Sequence, residues 1–210
     1  MKKYLVIALL TFAVFTSCTN KTERNKEVFL EDTLPGSVVV QMYEDSTPAL
    51  VRVFKVDAAG NPTYEMLREV QYYKSHKPYT DCSYTTVVTD SNVLNLRNGP
   101  AFAYFENGNV QTEAFYIDGK ENGDYNVYFE NGKPLLQGHY DHGLRTGGWK
   151  FYYENGNLRK CGSFENDICV GKWLDYNEKG EVVKEVETDE KSIGCGICPK
   201  CVELSKKSIK

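Results

Sequence analysis

The sequence lacks the basic excess that nucleic-acid-binding proteins carry. Its 210 residues include 25 Lys and Arg against 29 Asp and Glu, which gives a formal net charge of −4. A chain that starts at Cys18 is more acidic still, because the segment before it holds two lysines and no acid. A basic surface for phosphate contacts is therefore missing, and we expect no nucleic-acid partner.

The sequence also lacks the residue patterns of common catalytic sites. It has no Ser-His-Asp constellation, no glycine-rich loop that could cradle a phosphate, and no pair of acids at catalytic spacing. Each of these patterns is what a common reaction class requires of an active site. We therefore expect a protein that is not an enzyme.

No apolar run is long enough to cross a bilayer, which takes about 20 residues. Lys2 and Lys3 precede the apolar run Tyr4–Phe15, and this arrangement is typical of a signal peptide. The run ends in Phe-Thr-Ser-Cys at residues 15–18, which resembles a bacterial lipobox. We predict a signal peptide at residues 1–17 and a lipid on Cys18.

A lipid on Cys18 implies a membrane anchor in the cell envelope, because acyl chains add about 0.8 kcal/mol of binding per buried CH₂. Residues 18–35 are mainly polar and lack a hydrophobic period, as a tether would. They also lack the acidic run that resembles a surface-export signal. The periplasmic leaflet is therefore favoured over the cell surface.

What the chain does have is a globular composition rich in aromatic residues and glycine. It is 41% hydrophobic and 26% charged, with 15 Tyr, 10 Phe and 17 Gly. Aromatic residues favour strands and glycine favours turns, so this composition predicts more β-structure than helix.

A short motif recurs with a fixed period. Tyr104 begins the sequence YFENGN, which returns as YFENGK from Tyr128, as YYENGN from Tyr152 and, more weakly, as YNEKGE from Tyr176, each 24 residues after the last. A constant period of this length indicates a repeat architecture. The glycines of the motif, which we expect to be structural, are Gly108, Gly132, Gly156 and Gly180.

Each repeat is predicted to be a β-hairpin. In the third, Gly148–Tyr153 forms one strand, an Asn-Gly turn at residues 154–157 follows, Leu158–Phe164 returns, and residues 165–171 turn into the next unit. Tyr125, Trp149 and Trp173 occupy equivalent places, and we interpret these aromatics as a stacked core. We predict an all-β fold: an elongated antiparallel sheet of stacked β-hairpin repeats with a 24-residue period.

The region before the regular repeats is predicted to contain divergent hairpins that cap the stack. Ser37–Tyr43 and Ala49–Asp57 indicate one hairpin, and Thr63–Tyr73 is interpreted as a strand although a helical face also fits it. Residues 64–96 resemble a degenerate repeat with a loop inserted between residues 85 and 97. The predicted organisation is divergent hairpins at 36–96, regular repeats at 97–186 and a Cys-containing tail at 187–210.

The best repeat carries a resemblance to a known family. Gly147–Phe164 follows G-x-W-x-x-Y-x-E-N-G-x-L and then G-x-F, which resembles the MORN-variant repeats of bacterial proteins grouped as the YwqK-type "antitoxin component" family. The resemblance covers residues 98–186 well and residues 64–84 poorly. It implies an elongated sheet of hairpins that contacts other macromolecules, and it brings no catalytic residues.

Cysteines are the main chemical feature outside the repeats. Cys195, Cys198 and Cys201 have the C-x-x-C spacing of metal and iron–sulfur ligands,. With Cys18 lipidated, six cysteines remain, and an oxidising envelope favours disulfides that hold the tail. A Zn or Fe–S site with Cys161 or Cys169 as the further ligand, or a redox-active C-x-x-C, stays open. The six cysteines are Cys82, Cys161, Cys169, Cys195, Cys198 and Cys201.

Two other groups of polar residues could suggest a cation site. His139 and His142 are close in sequence, but their equivalents one repeat later are ordinary polar residues, so we interpret both as turn residues. Glu106, Glu130 and Glu154 recur in each repeat and are predicted to line one edge of the sheet as solvated carboxylates.

These features together predict a lipid-anchored envelope protein whose repeats form a binding or scaffold module for a protein or glycan partner. We expect it to need no cofactor. The alternative is a metal-binding or thiol-redox protein in which the repeats only present the C-terminal cysteines.

Overall fold

A computed structural model of the chain describes residues 34–188. Strands and turns account for the structure of these residues, and within them no helix exists that is long and apolar enough to cross a membrane. The strands are β1 (Ser37–Met42), β2 (Pro48–Val56), β3 (Pro62–Tyr72), β4 (Pro78–Val88), β5 (Val93–Tyr104), β6 (Val110–Ile117), β7 (Lys120–Glu121), β8 (Gly123–Tyr128), β9 (Pro134–Asp141), β10 (Leu144–Tyr152), β11 (Leu158–Glu165), β12 (Ile168–Tyr176) and β13 (Val182–Thr188).

The strands form one open antiparallel sheet in which neighbours in sequence are neighbours in space. The order runs from β1 to β13, except that the short strand β7 pairs only with β6, which also pairs with β8. Short turns join the strands, so each hairpin forms from local pairing. The predicted all-β sheet of hairpin repeats is confirmed.

The hairpin turns at one end of the sheet share a three-residue geometry. Tyr153 donates its amide to the carbonyl of Asn157, and Gly156 donates to the carbonyl of Tyr153, both at 2.9 Å. This pattern, with φ of +96° at Gly156, is a type I turn followed by a left-handed residue that makes a bulge. The same backbone pattern begins at Tyr43, Tyr73, Phe105, Phe129, Tyr153 and Asn177.

This geometry corrects the turn type that the Asn-Gly pair predicts. A two-residue hairpin turn needs positive φ at both residues, but in this turn only Gly156 has one. Asn155 instead uses its side-chain oxygen to accept the amide of Asn157 at 2.8 Å. Asparagine therefore closes the turn through its side chain, as in an Asx turn.

The opposite end of the sheet has two-residue turns between the later strands, although the turn from Asp57 to Asn61 at this end follows the three-residue pattern. His142 and Gly143 have φ of 50° and 86°, and Asn166 and Asp167 have φ of 50° and 69°, which is the type I′ geometry. Strand β12 begins directly after the second of these turns, at Ile168. The turn predicted at residues 165–171 was therefore too long, and its last four residues belong to the strand.

Aromatic side chains build a core on one side of strands β8 to β12. We call this side, which carries Tyr125, Trp149 and Trp173, the core face, and the other side the open face. Trp149 and Trp173 are each 2% exposed. The ring of Phe164 lies between them, with ring centroids 5.7 Å from Trp149 and 5.1 Å from Trp173, edge to face. Such pairs add about 0.5–1.5 kcal/mol each beyond the burial of their area.

Two glycines make room for the tryptophans. A Cβ atom at Gly138 would lie 2.3 Å from the indole of Trp149, and one at Gly162 would lie 2.1 Å from the indole of Trp173. Each indole therefore lies against the bare backbone of the preceding strand. In the repeat before, the glycine is replaced by Ala114 and the tryptophan by the smaller Tyr125.

The buried side of the sheet changes between β3 and β4. Val51 pairs with Val70, and Val70 pairs with Asp81. Asp81 pairs in turn with Phe102, and Phe102 pairs with Glu113 on the open face. Because paired residues point to the same side of a sheet, both valines lie on the open face. Both are nonetheless buried, at 3% and 0% exposed. From β4 onward the buried residues lie on the core face. The stacked core predicted from Tyr125, Trp149 and Trp173 implies that the sheet is buried on one side only. This is true of the later strands but not of the first three.

The residues inserted before the first regular repeat extend a hairpin instead of forming a loop. Strands β4 and β5 continue pairing to Val88 and Val93, and the turn closes with Thr89 donating its amide to the carbonyl of Asn92 at 2.9 Å. Alternating apolar and β-branched residues favour strand over loop here. The insertion therefore lengthens two strands of the same sheet.

Candidate functional site

The open face carries a row of tyrosines at the end of the sheet with the three-residue turns. Strands β8, β10 and β12 each end in a tyrosine, at Tyr128, Tyr152 and Tyr176. Tyr128 comes two positions after the open-face residue Asn126, and Tyr152 comes two positions after the open-face residue Lys150. All three are partly exposed. We call these three residues the tyrosine row.

A hydroxyl contact fixes each tyrosine of the row in the same direction. Tyr128 donates to Glu113 Oε2 at 3.2 Å, and Tyr152 donates to Gln137 Oε1 at 2.8 Å. In the third repeat, the Tyr176 hydroxyl lies 3.8 Å from the Cys161 sulfur. The three contacts span equal sequence separations, so every ring leans from its turn toward the middle of the face.

The ionisation of these tyrosines reflects their surroundings. Burial raises the pKa of Tyr152, and the contact with Cys161 is the largest cause of the raised pKa of Tyr176. Their hydroxyls therefore stay protonated at neutral pH and remain hydrogen-bond donors. Further along the open face, burial raises the pKa of Tyr104, whose ring stacks on Phe102, to about 12.

An open groove lies at the same end of the sheet as the tyrosine row. It runs past Leu135 on β9, which packs against the buried cluster of the core face, and past Arg159 on β11. Its lining is mixed, with aromatic and aliphatic surface next to carboxylates, an amide and a guanidinium. The residues that line it are Phe129, Leu135, Tyr152, Tyr153, Glu154, Asn155, Arg159 and Glu178.

The turns next to the groove are tied to one another. Asn157 donates its side-chain amide to the carbonyl of Glu178 at 2.7 Å, and two repeats earlier Asn109 donates in the same way to the carbonyl of Glu130 at 2.8 Å. Tyr153 donates its hydroxyl to the carbonyl of Tyr176 at 2.8 Å. These bonds between successive repeats hold the rim of the groove in place.

The carboxylates that recur in the turns lie at this same end. Glu106, Glu130 and Glu154 are exposed, as predicted for a solvated edge of the sheet. Among residues 34–188, no group of three or more His, Cys, Asp or Glu side chains is placed to hold a metal ion.

The two histidines lie apart from the groove. His142 occupies a type I′ turn with a positive φ, and its Nδ1 contacts Asp141 at 2.5 Å. His139 Nδ1 lies 3.0 Å from Asp124 on the neighbouring strand. Each histidine therefore has its own carboxylate partner, and both are exposed. His142 is a turn residue as predicted, but the prediction is wrong for His139, which lies within β9 and pairs with Asp124 and Thr146.

The cysteines within residues 34–188 are separated by the sheet. Cys82 and Cys161 are free thiols, whereas Cys169 is disulfide-bonded. Cys169 is buried on the core face beside Phe164, and Cys161 lies on the open face opposite Leu174. The structure thus does not bring Cys161 and Cys169 to one side. Cys18, Cys195, Cys198 and Cys201 lie outside the described residues.

Sequence reasoning identified Tyr128 and Tyr152 as repeat residues but not the function of their hydroxyls. The signal was present as a second period. Glu113, Gln137 and Cys161 are spaced by 24 residues, and each lies the same distance before a tyrosine of the row. Arg159 and Leu135 carried no such signal, because their positions differ in residue type from repeat to repeat.

Three segments of the chain are similar to a known repeat family. Residues 97–118, 121–142 and 145–166 match the MORN repeat variant, and repeats of this kind commonly serve in binding or scaffolding. No curated protein sequence matches the chain.

A solved structure that matches is the S. aureus protein TarM, a mutant in complex with Fondaparinux, alpha-GlcNAc-glycerol and UDP. The match has 12% identity and a TM-score of 0.27, and it covers 64% of this chain and 21% of that chain. The present chain thus spans about a fifth of the length of that protein.

Proposed function

We propose that this protein is a lipid-anchored envelope protein whose sheet of MORN-variant repeats acts as a binding or scaffold module for a protein or glycan partner. The observation that carries the proposal is the open face of β8 to β12. It presents partly exposed tyrosines and polar side chains, while the core face takes the large buried aromatics. A surface that is not needed for the core is available for a partner.

The anchor rests on the N-terminal sequence. A charged start, a short apolar run and the Phe-Thr-Ser-Cys ending support a lipid on Cys18,. The disulfide at Cys169 supports an oxidising compartment, because disulfides are rare in the cytosol. We propose the periplasmic leaflet of an envelope membrane as its location.

The proposal includes no catalytic step and no cofactor. It also includes no antitoxin activity, although the repeats resemble those of the YwqK-type family. A protein held outside the cytosol is separated from a cytosolic toxin, so that family name does not fit the proposed location.

The anchor is tested by the intact mass of the protein extracted from native membranes, taken with and without reduction and alkylation. We expect the mass of a chain that starts at Cys18 plus its acyl groups, and a Cys18→Ser variant should leave the membrane fraction. An unlipidated chain in the soluble fraction would contradict the anchor.

The binding role is tested by photo-crosslinking in cells. A crosslinking residue at Lys150, which is exposed on the open face, should capture a partner. The matched control is Lys184, which is exposed on the side of β13 that continues the core face. Equal yields from the two positions would argue against the open face as the binding surface.

A further inference from the structure

Strands β4 and β5 continue past their neighbours as a two-stranded hairpin. β3 pairs with β4 only as far as Ser83, and β6 pairs with β5 only from Gly99 onward. β4 and β5 stay paired with each other to Val88 and Val93. We call residues 85–96 the finger. No third strand among those described pairs with the finger, so its two outer edges are open.

The finger projects beyond the turn next to it. Gly119 donates its amide to the carbonyl of Arg97 at 2.8 Å, so the turn between β6 and β7 lies level with the base of the finger. β5 begins at Val93, four residues before Arg97. At 3.2–3.4 Å per residue, the finger therefore extends roughly 13 Å past that turn.

Aliphatic side chains are exposed on both faces of the finger. Val87 pairs with Leu94, and Val88 pairs with Val93. Successive side chains of a strand point to opposite faces, so the two pairs lie on opposite sides. All four residues are exposed, and Val88 and Val93 are each 56% exposed. Exposed apolar surface that the fold does not bury marks an interaction site.

An exposed aromatic residue lies beside the finger on β3. Met66 donates its amide to Oγ1 of Thr86 at 2.8 Å, so β3 runs next to the finger at this point. Tyr64 is two residues closer to the tip of the finger and is 63% exposed. Tyrosine is enriched where lipid headgroups meet the apolar layer of a membrane. The surroundings of the finger therefore have the composition of a membrane-contacting surface.

The chain enters the sheet at the end that carries the finger. Phe54 donates its amide to the carbonyl of Gly36 at 2.9 Å, and β1 begins directly after Gly36. β1 and β4 are three strands apart in the sheet, which corresponds to about 14 Å. Leu34, the first described residue, comes sixteen residues after Cys18. Such a length of chain spans at most about 58 Å, so an anchor on Cys18 keeps this end of the sheet near the bilayer.

We propose that the finger inserts shallowly into the lipid surface that holds the anchor, and that it recognises a surface of zwitterionic headgroups. This inference rests on the lipid anchor of the proposed function and gives the anchored sheet an orientation. The tyrosine row lies at the other end of the strands, so it is directed away from the membrane. A bilayer surrounds an inserted hairpin and therefore covers both of its faces at once.

The backbone of the finger limits how deep it goes. Its open edges carry N–H and C=O groups without a strand partner, and such groups are costly to bring into the hydrocarbon core. Segments that bind at the boundary between headgroups and acyl chains are buried about 5–10 Å deep. At this depth the polar tip, Asp90, Ser91 and Asn92, stays among the headgroups.

The charge of the finger selects the type of lipid. Asp90 is its one charged residue, and the whole chain has a net charge of −4. Anionic lipids attract basic segments, and the finger has no lysine or arginine. A surface of zwitterionic lipids is therefore the partner that the finger fits.

The test uses the purified full chain in vesicles of phosphatidylethanolamine and phosphatidylcholine, with ordinary or dibrominated acyl chains. Bromine atoms quench a tryptophan that touches them. Val88→Trp should be quenched at least about twofold, as expected for insertion at the boundary. The matched control is Val182→Trp, which replaces a 52% exposed valine at the end of the sheet that carries the tyrosine row, and it should not be quenched. The unsubstituted protein supplies the signal of the two buried tryptophans.

Two changes check the chemistry of the contact. Val93→Asp, added to Val88→Trp, should abolish the quenching because a carboxylate then lies in the apolar layer. Replacing part of the phosphatidylcholine by anionic phosphatidylglycerol should not increase the quenching, and an increase would contradict the proposed lipid preference. The thermal unfolding midpoint of each variant shows that the sheet is intact.

The intact mass of the same sample separates the possible failures. If Cys18 carries its lipid and Val88→Trp is not quenched, or if Val182→Trp is quenched equally, the finger inference is wrong while the anchor stands. Capture of a protein by a crosslinking residue at Val88, without quenching, would assign the finger to a protein partner and also overturn the inference. If Cys18 carries no lipid, the proposed anchor fails. The variants are then added to preformed vesicles, where quenching of Val88→Trp alone supports the finger and its absence overturns it.

Discussion

Gly138 and Gly162 decide how the tryptophans of the core can lie. Each glycine has an indole where its Cβ would be, so the large ring and the missing side chain form one packing unit. The pair Ala114 and Tyr125 shows the same unit with a small side chain under a smaller ring. Both tryptophans therefore occur in repeats that have glycine at the facing position.

Gly162→Ala is expected to destabilise the fold by about 1–3 kcal/mol, because the added methyl overlaps the indole of Trp173 and the surrounding backbone must shift. The matched control is Gly148→Ala, where nothing lies within 4 Å of the added Cβ and φ is not positive. This control should be neutral or slightly stabilising. Urea denaturation measures both, and equal stability of the two variants would contradict the packing unit.

The left-handed position of the three-residue turns gives a second test at this scale. Ser46 occupies it in the first hairpin with φ of 67°, where the regular repeats have glycine. Ser46→Gly is expected to stabilise the protein by up to about 1 kcal/mol. A side chain in the left-handed conformation costs roughly 1–2 kcal/mol, and glycine removes this cost. Glycine also makes the unfolded chain more flexible, which offsets part of the stabilisation.

The reciprocal variant is Gly132→Ser. Its Cβ would meet nothing within 4 Å, but φ is +79°, so only backbone conformation opposes the change. It should destabilise by a similar amount. If the thermal midpoints of the two variants move in the same direction, conformational strain at this position is not the cause.

At the scale of the element, the unit is a hairpin that needs its neighbours. An isolated two-stranded hairpin is marginal in water. Here each repeat is joined to the next by the ring contacts of Trp149, Phe164 and Trp173 and by bonds between turns such as that from Asn157 to Glu178. Stability therefore accumulates by interactions between adjacent repeats.

Deletion of one period, residues 130–153, is expected to leave a folded and shorter sheet. The deletion joins Phe129 to Glu154, so the turn keeps an aromatic residue before its Glu-Asn-Gly sequence. Far-ultraviolet circular dichroism and a cooperative thermal transition at a lower temperature would show this. A broad transition without cooperativity would mean that the repeats do not stack through nearest neighbours alone.

At the scale of the whole molecule, one sheet carries two different surfaces. The core face of the later strands holds the buried aromatics, and the open face holds the tyrosine row and Cys161. Several buried groups of this sheet must stay neutral. Burial raises the pKa of Cys82 to about 11 and that of Tyr104 to about 12, and it also raises the pKa of Tyr116 and Tyr140.

Stability is therefore expected to fall in alkaline solution. A group whose pKa is raised in the folded state binds its proton more tightly there, so its contribution is complete below the unfolded pKa and is lost as pH rises through the folded one. For Cys82 the window runs from 9.0 to about 11, and for Tyr104 from 10.0 to about 12.

Urea midpoints measured from pH 7 to 12 check this expectation. They should be steady up to about pH 9 and then decline. In Cys82→Ala the decline should begin about one unit later, because the tyrosines then titrate first. A midpoint that is constant to pH 12 would contradict the burial of these groups.

The sequence by itself determined the repeat, its period and the hairpin of each unit. The 24-residue spacing of Tyr-x-Glu-Asn-Gly and the equivalent places of Tyr125, Trp149 and Trp173 are signals within single repeats. Antiparallel neighbours pair locally, so such signals are sufficient. Even Thr63–Tyr73, whose apolar residues also fit a helix, is the strand β3, because β2 and β4 are there to pair with it.

Tertiary structure alone decided which side of each strand is buried, which turn type closes each hairpin and which side chains meet. Val51 and Val70 are buried on the side that later strands leave open, and Cys161 and Cys169 lie on opposite sides despite their closeness in sequence. The groove of Leu135, Tyr152 and Arg159 joins residues from three strands. Such outcomes depend on register and twist summed over many strands, and no single repeat contains that information.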